Sequence, residues 1–351
     1  MLFNPALART LRATVTTICR EFPRRHVWNP TQLDGCADWL EKRIADMGFT
    51  VQTDAFEATF WTDAGGAPAH RRVRNLLIDI PGQNPKLAPL VIGAHYDSRH
   101  GMAARHARQP VFETDADAID PRYADTPGAN DNASGMAALL AILDAQRDAP
   151  APPARGLQCA FWVNEEYPFF RDHWRRGRWH HGLMRRAEGM GSHVHARRLR
   201  DSGQRIMGAI ALDTLGCYDD GQGYAGTDAP RLERLALDRV FPRRHDYAAF
   251  LTDARHLGFT RRAATAFRAA PASPRLIVRG FPLVAALNQG WSDDWSFWKA
   301  GYPAFCVTDG AYIRSPHYHR VTDTPETLNY PVFAATVQGL IATVRQLTGA
   351  T

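Results

Sequence analysis

The chain lacks the long hydrophobic runs that characterise membrane proteins and secretory leaders. None of its 351 residues lies in a stretch approaching the roughly 20 apolar residues that a membrane-spanning helix needs. Residues 1–30 alternate polar and apolar side chains and carry five arginines, without the apolar block of a secretory signal. Internal repeats and low-complexity segments are also missing. We therefore expect no membrane association and a cytoplasmic protein.

Cysteines are few and do not form a disulfide pattern. There are five, an odd number, and they are widely spaced at Cys19, Cys36, Cys159, Cys217 and Cys306. Secreted disulfide scaffolds have denser, even-numbered cysteines, so this pattern indicates buried free thiols in a reducing compartment.

A basic surplus is present, but nothing that would recognise nucleic acid accompanies it. The net charge is +6 and the isoelectric point is about 9.2. The arginines concentrate in one segment, Arg171 to Arg186, and no nucleic-acid-binding motif is found. We expect no nucleic-acid partner. This segment is either a solvated face or a border of the substrate entrance that attracts a carboxylate.

Hydrophobic periodicity predicts an α/β protein. Residues 3–21, a helix opening at Asn29-Pro30-Thr31, residues 136–146 and a last helix from Asn329 to Gly349 show helical spacing or capping signals. Residues 51–60 and 73–80, together with several short apolar runs, are typical of strands. We predict a three-layer α/β/α sandwich around a central mixed β-sheet.

The domain organisation follows from composition. At 45% apolar residues the chain can build one large core, so residues 1–351 are predicted to form a single domain. Two polar segments near 99–126 and 167–190 are expected to be insertions at the rim of the sheet. Residues 218–290 are expected to form a peripheral cap.

Four of the short apolar runs end at acidic or metal-binding side chains. These end groups are His95 with Asp97, Glu165 with Glu166, Asp213, and Asp309. Ligands of open α/β sheets bind beyond the carboxyl ends of the strands, so these groups should meet at one rim. Several carboxylates brought together repel one another and lose hydration, so they need a positive partner. A pair of divalent metal ions meets that need.

Five local motifs, taken in order, resemble a known family. They are residues 93–98 (GAHYDS), 127–135 (PGANDNASG), 164–166 (NEE), 212–213 (LD) and 318–324 (YHRVTDT). The set resembles the di-zinc aminopeptidases, whose family also includes glutamate carboxypeptidases, glutaminyl cyclases and the inactive transferrin receptor. The resemblance spans about residues 30–349 and implies a phosphorylase/hydrolase-like zinc exopeptidase fold.

The resemblance implies two zinc ions per chain and a ligand for each position. His95 and Asp213 would bind one ion, Glu166 and His319 the other, and Asp131 would bridge both. Zinc accepts such nitrogen and oxygen ligands, and two ions about 3.5–4 Å apart need a bridging carboxylate. His317 competes with His319, which we favour because its spacing to Asp323-Thr324 fits the family pattern.

Other residues would support the reaction. Glu165, which is not a ligand, would be the general base, and Asp97 would accept the second ring N–H of His95. Asp293 would support His319. Asp294 stands where the family has histidine, which makes the neighbourhood more acidic and leaves the substrate class open.

Some histidines and tryptophans have simpler explanations. His193 and His195 are two apart and would not share a helix face, so they are not expected to form a metal pair. The histidines at 100, 106, 180 and 181 are predicted to be surface groups. Trp291, Trp295 and Trp298 either line a pocket or pack in the core.

The predicted activity is that of a zinc-dependent exopeptidase, most simply an aminopeptidase acting on peptides or N-terminal aminoacyl substrates. A hydroxide held by the metals would attack the peptide bond, and Glu165 would take its proton. The alternative is a glutaminyl-cyclase-like acyltransferase, a branch that uses a single zinc. A deacylase of acylated amino acids and a non-catalytic binding domain are further alternatives.

Overall fold

In the computed structural model of the chain, eight strands within the described residues form one mixed sheet. The structure describes residues 4–61, 68–100, 125–166, 169, 189–218, 241–242, 244–271, 273–281, 290 and 292–350. The strands are β1 (Gln52–Trp61), β2 (Pro68–Ile80), β3 (Leu90–His95), β4 (Leu157–Trp162), β5 (Gly208–Leu212), β6 (Tyr247–Asp253), β7 (Arg275–Phe281) and β8 (Ala304–Thr308).

The order of the strands is β1-β2-β4-β3-β5-β8-β6-β7. The four central strands, β4, β3, β5 and β8, run parallel to one another. Antiparallel pairing attaches β2 to β4 on one side and β6 to β8 on the other. Four neighbouring carboxyl ends therefore lie along the same edge of the sheet, where ligands of such sheets bind.

The described helices cover both faces of this sheet. They are α1 (Pro5–Glu21), α2 (Pro30–Asp46), α3 (Gly135–Arg147), α4 (Gly191–Asp201), α5 (Leu257–Ala269), α6 (Asp294–Lys299), α7 (Ala311–Arg314) and α8 (Tyr330–Thr348). No helix in the described part of the chain has the length and hydrophobicity needed to cross a bilayer.

Alternation along β3 places its side chains in two different hydrophobic clusters. In β3, Leu90 and Ile92 join a cluster that includes residues of α1, α3, α5 and α8, whereas Val91 joins the cluster containing Leu199 of α4 and Trp295 of α6. Successive strand side chains point to opposite faces, so a sheet buried on both sides needs apolar residues at every position. The predicted three-layer fold is confirmed.

The ends of the helices follow their sequence signals. The side chains of Asn4, Asn29 and Asn329 accept backbone N–H groups at the starts of α1, α2 and α8, and each of these helices has proline in its first turn. Gly349 adopts the left-handed conformation after α8, with φ +68°. The predicted boundaries of these helices agree with the structure to within about two residues.

The region near 218–290, predicted as a cap, differs in its described part. Strand β6, helix α5 and strand β7 form a parallel unit that extends the sheet. These strands are not evident in the sequence because Pro- and Arg-rich residues surround their two short apolar runs. Residues 219–240 and 282–289, and most of the two predicted insertions, lie outside the described residues.

Candidate metal centre

The carboxyl ends of three central strands deliver most of the predicted ligands. His95 is the last residue of β3, Glu165 and Glu166 follow β4, and Asp213 follows β5. Asp131 lies in the turn Ala129–Ser134 before α3, and His319 lies in the loop after α7. The parallel arrangement thus brings residues far apart in sequence to one rim.

The five predicted ligands form two groups that share Asp131. His95, Asp131 and Asp213 make one group, and Asp131, Glu166 and His319 the other, with one ligand atom of each member within 4.8 Å of the rest. Oδ1 of Asp131 lies 3.3 Å from Nε2 of His95, and its Oδ2 lies 3.0 Å from Nε2 of His319. One carboxylate therefore presents a different oxygen to each group, as a bridge between two cations requires.

Several of these ligand atoms are buried without hydrogen bonds. Both ring nitrogens of His95, Oε1 of Glu166 and Oδ1 of Asp213 have no hydrogen-bond partner among the described residues. Buried polar atoms are nearly always paired, because an unpaired one costs free energy. Cations with nitrogen and oxygen ligands would satisfy these atoms, so the residues present fit zinc.

The pKa shifts of the acidic residues at this site also indicate that a cation would be stabilising. Burial, together with the charges of Asp213 and Glu166, raises the pKa of Glu165 well above its usual value. Burial and the Asp131 charge do the same for Glu166. Burial opposes ionisation of Asp131, but the rings of His319 and His95 lower its pKa strongly. These carboxylates are thus crowded to a degree that positive charge would relieve.

Asp97 has a second role that the sequence did not reveal. Its Oδ1 lies 3.4 Å from Nδ1 of His95, consistent with the predicted orientation of that ring. In addition, its two oxygens accept the backbone N–H groups of Glu165 and Glu166, at 3.1 and 3.0 Å. One buried carboxylate therefore ties the end of β3 to the pair of glutamates after β4.

The structure separates the two competing histidines. His319 belongs to the second ligand group. Nδ1 of His317 instead contacts Oγ1 of Thr322 at 3.0 Å, at a partly exposed position. His319 is the residue of the two that faces Asp131 and Glu166.

Asp293 is not placed as the resemblance implied. Neither of its carboxylate oxygens hydrogen-bonds to a described residue, so it does not support His319 in that way. Burial raises its pKa to about 7, with the charges of Asp213 and Asp97 adding to the effect. Helix α6, which begins at the next residue, packs beside β5, which ends one residue before Asp213. Asp294 is fully buried, and burial raises its pKa well above the usual value.

Two residues that sequence reasoning did not assign hold the loop of Asp131. Arg25 is fully buried and donates to the carbonyls of Pro127 and Gly128, at 2.6 and 2.7 Å. Asp323 accepts the backbone N–H groups of Asn130 and Asp131, at 2.8 and 3.1 Å. No sequence signal identifies Arg25, which lies among other arginines, whereas Asp323 belongs to the last of the five motifs.

Glycine is required in that loop. Gly128 has φ +61°, and a Cβ atom there would lie 2.3 Å from the carbonyl oxygen of Asp131. Only glycine combines this backbone conformation with so close an approach. The peptide bond between Asp131 and Asn132 is cis.

Left-handed backbone conformations gather at the ligands. In the described part of the chain, the non-glycine residues with positive φ are Asn164, Thr214 and His319, at 57° to 61°. The first two adjoin Glu165 and Asp213, and the third is itself a predicted ligand. Such conformations persist where surrounding contacts enforce them, and they concentrate at functional sites.

The other tryptophans and histidines considered in the sequence either are buried or lie outside the described residues. Trp295 and Trp298 are buried in the core, and His193 and His195 contact different aromatic rings, those of Trp295 and Trp162. His100, predicted as a surface group, is only 16% exposed because Trp28 covers its ring at 4.5 Å between centroids. Trp291, the Arg171–Arg186 segment and the histidines at 106, 180 and 181 lie outside the described residues.

Comparison with known proteins places this site in a family. The model of peptidase family M28 matches residues 75–344. The chain is 27% identical over 332 residues to the uncharacterized protein YfbL of Escherichia coli (strain K12), covering 94% of this chain and 85% of that protein.

Solved structures share the fold. A Zn-dependent exopeptidase from Parabacteroides distasonis has a TM-score of 0.64 at 18% identity, covering 97% of this chain and 98% of that one. A glutaminyl cyclase from Bacteroides thetaiotaomicron, bound to N-acetylhistamine, has a TM-score of 0.65 at 17% identity, covering 98% of both chains. The two scores are nearly equal, so the backbone alone does not separate the two activities.

Proposed function

This chain belongs to peptidase family M28, and from that membership we propose that it is an aminopeptidase with two co-catalytic zinc ions. The predicted family is confirmed, and the chain is a zinc-dependent metallopeptidase. The number of ions and the preference for a free amino terminus are the proposal's own content. The observation that carries it is that the two carboxylate oxygens of Asp131 face two different ligand groups.

Each of the five ligands would bind one of the two zinc ions, and one ligand would bind both. His95 and Asp213 would hold one ion, Glu166 and His319 the other, with Asp131 between them. Bound zinc would polarise the scissile carbonyl, lower the pKa of a water molecule and hold the amino terminus of the substrate. The protein would contribute the geometry of the ligands and a group that moves the proton.

Glu165 is proposed to be that group. It belongs to neither ligand group, although its Oε2 lies 3.9 Å from Nε2 of His95. Its carboxylate is buried beside the ligands without belonging to either group, which is the position that a general base needs. Its carboxylate would take the proton from water and deliver it to the leaving amine. Asp97, by fixing the N–H groups of Glu165 and Glu166, would keep base and ligand side by side.

Glu165→Gln tests this role. The amide keeps the size of the side chain but cannot accept the proton, so turnover should fall by about 10²–10⁴-fold. Metal content by elemental analysis and the melting temperature should stay close to wild type. Glu57→Gln is the matched control, because that side chain is 71% exposed. Retention of activity by Glu165→Gln would remove Glu165 from the mechanism.

A panel of substrates separates hydrolysis of the peptide bond from cyclisation of an N-terminal glutamine. A panel of aminoacyl and N-terminal glutaminyl peptides, assayed with and without chelator, should show hydrolysis of the former. The five proposed ligands, His95, Asp131, Glu166, Asp213 and His319, are called the cage below. Two zinc ions in the cage fit the proposal. A single ion there, with pyroglutamyl product from the glutaminyl peptides, would favour the cyclase alternative instead.

The cytoplasm remains the proposed location. All five cysteines are buried thiols that are not joined in disulfide bonds, as predicted. Free thiols persist in reducing compartments, which supports this location.

A further inference from the structure

A second cluster of metal-binding side chains lies outside the cage. His26, His100 and Asp125 each offer a ligand atom, and the three atoms lie within 4.8 Å of one another. None of them belongs to the ligand groups of the cage. Nε2 of His26 lies 3.4 Å from Oδ2 of Asp125, and Nε2 of His100 lies 3.7 Å from its Oδ1.

We propose that these three residues bind a further divalent transition-metal ion of the zinc type. Two imidazoles and one carboxylate are ligands that zinc and its first-row neighbours accept. Ligand atoms about 2.0–2.2 Å from a tetrahedral ion lie roughly 3.3–3.6 Å from each other. The separation of 3.4 Å between Nε2 of His26 and Oδ2 of Asp125 falls within that range, and the 3.7 Å between Nε2 of His100 and Oδ1 lies just above it.

His26 provides the second, independent argument. It is only 5% exposed, and neither of its ring nitrogens has a hydrogen-bond partner among the described residues. A histidine that merely fills the core would use at least one nitrogen in a hydrogen bond. An ion bound between His26 and Asp125 satisfies the nitrogen that faces the carboxylate.

The surroundings of the cluster keep the rings in place. The ring of His100 lies 4.5 Å from those of both His26 and Trp28, measured between centroids. Trp28 thus forms an apolar wall beside the ligands, which limits access of solvent. Arg24 approaches Oδ2 of Asp125 only at 3.7 Å, and its side chain is 64% exposed. An exposed arginine at this distance competes weakly for the carboxylate.

The cluster lies next to residues that contact the loop of Asp131 and the side chain of Glu166. His26 follows Arg25, which holds the loop of Asp131, and His100 follows Arg99, which lies 3.2 Å from Oε2 of Glu166. Ser98 donates its N–H to the carbonyl of Arg25 at 2.9 Å. An ion would therefore connect the N-terminal segment, the end of β3 and Asp125, close to the residues that support the cage.

The test separates this ion from those of the cage. A chain carrying His95→Ala, Asp131→Ala and His319→Ala lacks ligands from both groups; its fold is checked by circular dichroism. After chelator treatment, equilibrium dialysis against Co²⁺ with elemental analysis should find one ion per chain. Adding His100→Ala should abolish that uptake, whereas adding His70→Ala, which removes an exposed imidazole, should not.

A second measurement does not depend on the folding of this triple variant. In the otherwise wild-type chain, His100→Ala should lower the zinc content by one ion per chain, and His70→Ala should leave it unchanged. The difference between variants reports on His100, while the ions left in His100→Ala report on the cage, so the two proposals fail separately. Equal metal content in wild type and His100→Ala would overturn the site.

Discussion

His195 is a buried histidine that must stay neutral to make its hydrogen bond. Its Nδ1 accepts the indole N–H of Trp162 at 3.1 Å, and the residue is 2% exposed. A protonated ring has no acceptor nitrogen, and burial lowers the pKa of His195 to about 4 from its ordinary 6.5. A role in packing, and not in metal binding, accounts for this residue.

His195 should make the stability of the protein depend on pH. The unfolded chain binds a proton near pH 6.5 and the folded chain only near pH 4, so stability is lost as pH falls between these values. By linkage, the loss from pH 7 to pH 5 is about 2 kcal/mol. His195→Asn, whose amide oxygen can replace Nδ1, should remove that part of the slope in urea unfolding at the two pH values.

His70→Asn serves as the control, since His70 is 55% exposed and its replacement should leave the slope unchanged. If the slopes of wild type and His195→Asn coincide, His195 does not carry this pH dependence.

Individual site residues could be predicted when their chemistry was visible in the sequence. His95, Asp131, Glu166, Asp213 and His319 were recognisable because acidic or imidazole groups followed apolar runs or matched ordered motifs. The supporting residues were not. Arg25 acts through hydrogen bonds to backbone carbonyls 102 and 103 positions away, and such contacts leave no local pattern.

At the scale of elements, the loop before α3 is held from both sides. Arg25 binds its carbonyl groups, and Asp323 binds its N–H groups. This loop must place both oxygens of Asp131 accurately, because each faces a different histidine. The loop depends on charged side chains from two distant segments and not on regular secondary structure.

Asp323→Asn should weaken zinc binding by about 10–100-fold, the range found when groups that orient ligands are removed. Asparagine has one acceptor oxygen in place of two, and its NH₂ group would face a backbone N–H. Chelator competition measures the affinity. Asp46→Asn, at a side chain 55% exposed, should bind zinc as wild type does. Unchanged affinity in Asp323→Asn would show that Arg25 alone suffices to hold the loop.

Elements with strong end signals were predicted well, and those without were not. Asparagine caps, prolines and closing glycines marked the ends of α2 and α8 in the sequence. Strands β6 and β7 have no such signals, and β7 is only partly buried, so periodicity did not reveal it. Edge strands are specified by their pairing partners, which a local pattern does not contain.

At the scale of the whole molecule, the five cysteines are distributed over helices, strands and a loop, and all are buried. Burial raises the pKa of Cys19 and Cys36 to about 12. Since the thiolate is the reactive form, these thiols should be inert while the chain is folded. The core, and not disulfide bonds, holds the molecule together.

Thiol labelling measures this directly. With a chromogenic disulfide reagent at neutral pH, the native protein should release almost no colour, and the protein in denaturant should show all five thiols. Rapid reaction of a thiol in the folded state, or fewer than five after unfolding without reductant, would contradict this description.

The two groups that share Asp131 draw on residues from His95 to His319. At about 5–20 residues per second, a ribosome needs roughly ten seconds or more to pass from the first of these residues to the last. During this time a nascent chain contains His95 and the other early ligands but not yet His319. The complete set of candidate ligands, and with it any preference for one metal, therefore exists only after His319 has been synthesised.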